Sequence, residues 1–393
     1  MRRRRPSSRR AGFTLVEMMV AMTIGALVIA SVYTLGGSAA RDFQEQQRVT
    51  QLQLSTRLAL DRVRRDVERA GLHGTPDSMV ERTCVTPARR VRAVQLVNED
   101  GGSRAAINAH QAGAANTTTQ ADLLRLVGNF ATSDAYLVRS FDSSGGTAFL
   151  QTSWQGFRRS FAADSTGTTI DPTIFQDVFR AGRMLHIQTV QGNHFFVRVA
   201  SATVSGNSAS VSFTPALGVG GTCVVGLGEG ALLAPLSEVE YALQANAEDL
   251  PTATSSSGAD VTGPNVSLVR RERDMVTNAI TETRTVLEWA MHFDVDAIFD
   301  DTAVGSAPDA RLATLYGDEL AETNMAARAS RVRALVVTIG ARSRDQDPNF
   351  PWAAPVPGAP PVRFRVFSDR VGAARVRTAT AEIGLPNLIQ RGL

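Results

Sequence analysis

Gly12-Phe13-Thr14-Leu15-Val16-Glu17 lies between an arginine-rich start and a long apolar run, and that placement decides how the chain is built. Residues 1–12 carry six arginines and no acid, and Phe13 to Leu35 are apolar apart from Glu17, small residues and hydroxyls. At about 1.5 Å per residue the run makes a helix of roughly 35 Å, enough for a hydrocarbon core of about 30 Å. Arginines ahead of a spanning run hold the N-terminus in the cytoplasm and send residues 36–393 out. Glu17 is the anomaly. A carboxylate near the start of such a segment costs on the order of 3 kcal/mol on insertion scales, so it needs a partner or a function.

The hexapeptide resembles the type III signal sequence of the type IV pilin superfamily. The resemblance implies that a prepilin peptidase cuts the Gly12–Phe13 bond and that Phe13 becomes the N-methylated terminus. It also implies that Glu17 pairs with the terminal ammonium of a neighbouring subunit. The physics agrees: glycine puts no side chain beside the scissile bond, and an ammonium neutralises a carboxylate that is expensive in lipid. Two plainer readings compete. An ordinary secretory signal would be cut near Ser38-Ala39-Ala40, but its apolar region would not hold a glutamate. Alternatively, Thr14-x-x-Glu17 is a capping box at a helix start, which explains the spacing without explaining the membrane.

Composition narrows the partners. The chain has 41 basic and 38 acidic residues, and loss of the six leader arginines turns that excess acidic. Nucleic acid is therefore not an expected partner. Every basic residue outside the histidines is arginine, which removes Schiff-base and P-loop lysine chemistry. Cys84 and Cys223 are either a disulfide of an exported domain or two unpaired buried thiols; closing so long a loop would contribute about 4–5 kcal/mol in the chain-entropy model.

Four segments follow: a leader at 1–12, a transmembrane helix at 13–35, an amphipathic stalk at 36–70 and a β-rich head at 71–393. Leu52, Thr56, Ala59, Val63, Val67 and Ala70 recur every three or four residues, with Asp61, Arg62, Arg64, Arg65, Glu68 and Arg69 on the other side. Gly36-Gly37 is the expected bend and Gly71 the expected stop. Beyond it, strands are expected at Asp122–Val127, Ala135–Arg139, Met184–Val190, Phe195–Val204, Ser208–Phe213, Val239–Leu243, Thr285–Phe293, Arg331–Ile339, Val362–Phe367 and Ala374–Ala381. The fold class is α+β, a long helix packed on an antiparallel sheet.

The segment Ala59 to Gly71 is similar to the stalk-to-head passage of PilW-type minor pilins and GspJ-type minor pseudopilins. Leu268-Val269-Arg270-Arg271, Val286 to Asp296, Arg331 to Ser343 and Arg375 to Ala381 fit the PilW order as well. Residues 100–230 match nothing in that pattern, and Cys84 falls later than the family's usual cysteine.

No catalytic constellation is legible, and neither a metal nor a cofactor is expected. His73, His110, His186, His194 and His292 lack metal-ligand spacing. His186 and His194 are expected on neighbouring strands as satisfied or surface histidines. The acidic run Asp294 to Asp301 lacks the glycine and terminal glutamate of an EF-hand loop and reads as a solvated strand-end turn. Trp289 reads as core; Trp352 falls in a proline-rich loop, with a contact role as its lesser reading. The resemblance implies a minor pilin near a pilus tip that helps to start filament assembly. Its partners would be the prepilin peptidase, the major pilin, other minor pilins, a PilY-type tip adhesin and the bacterial inner membrane. The alternatives are a GspJ-type pseudopilin of a type II secretion system and, remotely, a membrane-anchored periplasmic enzyme.

Overall fold

In the computed structural model the described residues are 14–79, 81–83, 89–97, 122–164, 169–218, 226–245, 253–254, 260–261, 266–300, 312–315, 329–344, 346–351, 363–364 and 371–389. The chain divides into two units, Met1–Gln51 and Leu52–Leu393. One helix, α1 (Leu15–Glu68), begins in the first and ends in the second. No proline interrupts the sequence between Pro6 and Pro76, so nothing removes a helical N–H, and the helix runs on through Gly36 and Gly37 where a bend was expected. It stops at Gly71. That residue has φ +74°, a conformation that favours glycine, and a Cβ there would also press on Leu388 Cδ2 at 2.7 Å.

In the first unit the apolar side chains of Leu15–Gly37 face outward, with a mean hydropathy of 2.2. That stretch is long and apolar enough to cross a membrane. The second unit treats the same helix differently. Leu52, Thr56, Ala59, Val63, Val67 and Ala70 are all buried, as their spacing predicts. The five apolar ones join one core with strands from both of the head's large sheets, and the Thr56 hydroxyl donates to the Leu52 carbonyl at 2.7 Å.

The strands are β1 (Val94–Val97), β2 (Leu123–Gly128), β3 (Tyr136–Phe141), β4 (Thr147–Leu150), β5 (Met184–Gln188), β6 (His194–Ser205), β7 (Ser208–Thr214), β8 (Leu232–Ala245), β9 (Ala253–Thr254), β10 (Asp260–Val261), β11 (Val266–Arg273), β12 (Ile280–Leu287), β13 (Ala290–Asp300), β14 (Leu312–Leu315), β15 (Val332–Arg342), β16 (Arg363–Phe364) and β17 (Ala374–Gly384). A five-stranded antiparallel sheet runs β14-β13-β15-β17-β16, and its central β15 is apolar on nearly both faces. A ten-stranded sheet is organised by β8, which has two lives. Leu232 and Leu233 pair with β3 on one side and β5 on the other, so β3-β4-β7-β6-β5-β8 closes into a ring. Further along, β8 leaves the ring and pairs with β2 and β11 over the core shared with α1.

The ring accounts for much of the stretch at 100–230 that resembled nothing. Inside it, Tyr136, Phe157, Phe161, Phe175 and Phe179 pack with ring centroids 4.8–6.0 Å apart. Burial pushes the Tyr136 hydroxyl up to about 12. Two short helices, α2 (Gln155–Phe161) and α3 (Pro172–Val178), supply three of the five aromatics, and Phe179 caps the end of the second. The second starts cleanly because Asp171 accepts from the Thr173 and Ile174 amides at 2.8 and 3.1 Å, with proline at N1.

Three expectations need correcting. Thr285–Phe293 is not one strand: the chain turns at Trp289, which has φ +56°, and passes from β12 in one sheet to β13 in the other. That turn leaves Trp289 half-buried under the Arg342 guanidinium, 4.7 Å from its ring, and not in the core. The acidic run through Asp294, Asp296 and Asp300 is the body of β13, with carboxylates alternating against buried Phe293, Val295, Ala297 and Phe299. It is not a strand-end turn; Asp301 lies outside the described residues. Finally, β11 carried no strand expectation because Arg270, Arg271, Glu272 and Arg273 hide its alternation.

The buried stripe gives a direct test. Val63→Asp places an unpartnered charge at a fully buried site and should cost several kcal/mol. Arg64→Ala removes only an exposed i,i+4 pair with Glu68 and should leave the midpoint nearly unchanged. Denaturant midpoints of the two variants check this, and equal midpoints would contradict the packing of α1.

Candidate functional site

The first turn of α1 holds Glu17 in a reciprocal cap. The Thr14 N–H and hydroxyl donate to Glu17 Oε2 at 2.9 and 3.0 Å, and the Glu17 N–H donates back to the Thr14 hydroxyl at 3.3 Å. This is a capping box, and it places a negative group at the positive end of the helix. Both side-chain bonds fall on Oε2; Oε1 makes none among the described residues. Gly12 and Phe13 lie outside those residues, as do Cys84, Cys223, His110 and Trp352.

At the other end of α1 the helix is fastened by groups that the apolar periodicity did not reveal. Asp66, on the buried side, accepts from Arg270 Nε at 2.6 Å and from the Tyr241 hydroxyl at 2.7 Å, while Arg62 stands 3.9 Å away on the same carboxylate. Burial pulls the Arg270 guanidinium down, but the charge and hydrogen bond of Asp66 outweigh it and leave it raised. Arg69, expected on the solvent side, instead tucks back to donate to the Thr132 carbonyl. Asn387 donates to the carbonyls of Glu68 and Ala70 at 2.8 and 3.2 Å, and the Gly71 N–H donates to the Val127 carbonyl at 2.8 Å. These bonds satisfy the open end of the helix.

The outer face of β2, β8 and β11 carries a second polar layer. Arg125, Glu240 and Arg271 form one cross-strand row, with Arg273 and Glu238 in the next. Glu240 receives Arg125 at 2.8 Å, Arg271 at 3.0 Å and Arg273 at 2.8 Å. Burial would raise its pKa, but these bonds and charges hold it below the ordinary carboxylate range. Arginine suits this work because its planar fork reaches two acceptors without being deprotonated.

His186 and His194 do lie on adjacent paired strands. They are buried and satisfied: His186 Nε2 bonds His194 Nδ1 at 2.8 Å, His186 Nδ1 bonds the His73 carbonyl at 2.7 Å, and Glu81 sits 3.3 Å from His194 Nε2. His292 is buried on β13, and burial lowers its pKa. Among the described residues no group of three metal-ligating side chains converges. Sequence reasoning missed Asp66, Tyr241 and Arg270. Asp66 carried one signal, since it lies three residues after Val63 and four before Ala70, on the buried side of the helix.

The family model for the prokaryotic N-terminal methylation motif matches residues 7–33, so the chain carries a type IV prepilin-like N-terminus. In structure it is similar to a type IV-like pilin from Thermus thermophilus, at 13% identity over 55% of this chain and 91% of that one, with a TM-score of 0.18. No curated protein matches the sequence.

Removing the Asp66 carboxylate strands Arg270 in the core. Asp66→Ala is expected to cost about 3–5 kcal/mol, whereas Arg62→Ala, which takes away only the distant exposed partner, should cost less than about 1 kcal/mol. Urea unfolding of both variants measures the difference; comparable losses would mean that the triad does not fasten the helix.

Proposed function

We propose that this chain is a minor pilin of a type IV pilus, a structural subunit near the tip that helps to start filament assembly. The observation that carries the reading is the methylation motif on a helix that is outwardly apolar over Leu15–Gly37 and buries its later stripe in the head core. The motif implies cleavage by a prepilin peptidase and assembly with other pilins. Processing would cut Gly12–Phe13 and methylate Phe13, with the protein held in the inner membrane by 13–35 and its head, 71–393, in the periplasm. The stalk at 36–70 would join the two.

Glu17 would pair in the filament through Oε1, the oxygen that the capping box leaves open, with the ammonium of the next subunit's Phe13. Size supports a low-copy position: a head of about 320 residues has a radius of gyration near 20 Å, bulky for the repeated subunit of a thin shaft. Other minor pilins, the major pilin and a PilY-type tip adhesin are the partners this position implies, reached after export to the cell surface. Its work would be structural, not catalytic.

A Cys84–Cys223 bridge belongs to the same reading. Thr83 forms a bridge to His194, and the Gly226 carbonyl accepts from the Val190 N–H at 3.5 Å. The described flanks of both cysteines thus meet one β5–β6 hairpin. Mass spectrometry without reductant should find the two cysteines in one linked peptide.

Gly12→Val should leave an uncleaved precursor about 12 residues longer than the mature protein, because a side chain there crowds the peptidase. Glu17→Ala should be cleaved and inserted normally yet be lost from sheared filaments. Immunoblots of membrane and filament fractions check both, and normal maturation of the Gly12 variant would remove the assignment. Deletion of the gene should lower pilus number; an unchanged pilus number with blocked exoprotein secretion would transfer the protein to the pseudopilin class.

A further inference from the structure

Strand β12 is an edge of the ten-stranded sheet. It pairs with β11 on one side and, among the described residues, with no strand on the other. Most of its length is exposed, from Ile280 to Thr285. Such an edge presents a row of open N–H and C=O groups, a template for pairing with another chain. No proline interrupts Ile280–Leu287. Bulges bracket the strand instead: its register against β11 slips at Thr281 and at Val286, which leaves Glu282–Thr285 as the regular ladder.

The residue order is self-complementary about its middle: Ile280-Thr281-Glu282-Thr283-Arg284-Thr285-Val286. Around Thr283, glutamate mirrors arginine, threonine mirrors threonine and isoleucine mirrors valine. Strand β11 gives the two charges no complement. Glu282 lies opposite Glu272 and Arg284 opposite Arg270, like against like. Glu272 is itself taken by Arg180 and Arg183, and Arg270 by Asp66. Among the described residues, Glu282 and Arg284 pair with each other along the strand at 2.6 Å, their side chains 38% and 64% exposed.

We propose that β12 pairs antiparallel with β12 of a second copy of this chain, about a two-fold axis through Thr283. In that register Glu282 of each copy meets Arg284 of the other, Thr283 meets Thr283, and Thr281 meets Thr285. Opposite charges and threonine pairs placed directly across an antiparallel ladder stabilise it. A slip of one residue sets both charges against threonines, and a slip of two sets a charge against its own kind, so the charges fix the register. The contact is isologous: it consumes both edges and closes at two copies. So short a ladder makes a weak pair in dilute solution. Copies inserted through Leu15–Gly37 in one membrane would meet at a far higher effective concentration.

Residues opposed in an antiparallel pair have Cα atoms about 4.5 or 5.5 Å apart, both within disulfide reach. Full-length Thr283→Cys, oxidised in isolated membranes, should therefore cross-link to itself above the wild-type background. Thr277→Cys, exposed in the adjoining hairpin turn, should not. Adding Glu282→Arg or Arg284→Glu to Thr283→Cys sets like charges opposite each other and should slow cross-linking about tenfold. Co-expressing those two charge variants makes the strands complementary again and should restore the rate, which a folding defect could not do. The proposal would be overturned by no self-cross-link at Thr283→Cys, by equal cross-linking of Thr277→Cys, or by a rate indifferent to charge reversal. No recovery on co-expression, or a Thr283→Cys adduct to another protein in place of the self-adduct, would overturn it too.

Discussion

Burial of one stripe of α1 is the constraint on which the head depends. Val63, Val67 and Ala70 are wholly buried, and at roughly 25 cal/mol per Å² such side chains contribute most of what holds a helix to a sheet. Hydrophobic burial has no direction, however, and a valine stripe alone would tolerate rotation or slippage. The Asp66–Arg270 pair with the Tyr241 hydroxyl supplies the direction. A carboxylate in that core is tolerable in the one register where both donors reach it, so every other register carries a desolvation penalty.

The β8 strand solves the next problem, how to attach an additional core without a flexible linker. Its first residues complete the closed ring around the phenylalanine cluster, and its later residues form the middle of the layer over α1. The two cores therefore share one continuous ladder of backbone hydrogen bonds. Because the strand changes neighbours near Ser237, its buried side chains change from Leu233 in the ring to Val239, Tyr241 and Leu243 against the helix stripe.

Arginine is the only long cation in the chain, and the head uses it for interior and outer face alike. Rows such as Arg125–Glu240–Arg271 put like charges within reach of each other, which would be destabilising without a carboxylate between them. The fork geometry lets each guanidinium serve two acceptors, as Arg271 does with Glu240 and Gln244.

The sequence by itself determined what depends on neighbours along the chain. The apolar run from Phe13 to Leu35, the glutamate four places into it, the stripe through Val63 and Val67, and the stop at Gly71 are all expressed in spacings of three to seven residues. Strands with a sustained apolar or alternating run, such as β15 and β17, were legible for the same reason. Tertiary structure decided the rest. Arg270 meets Asp66 across 204 positions, β8 divides its pairing between two cores, and Trp289 turns the chain from one sheet to another. A local period records which face of an element is apolar. It does not record which distant donor will neutralise a buried acid, because that choice is made by the cost of desolvating charge in the assembled core.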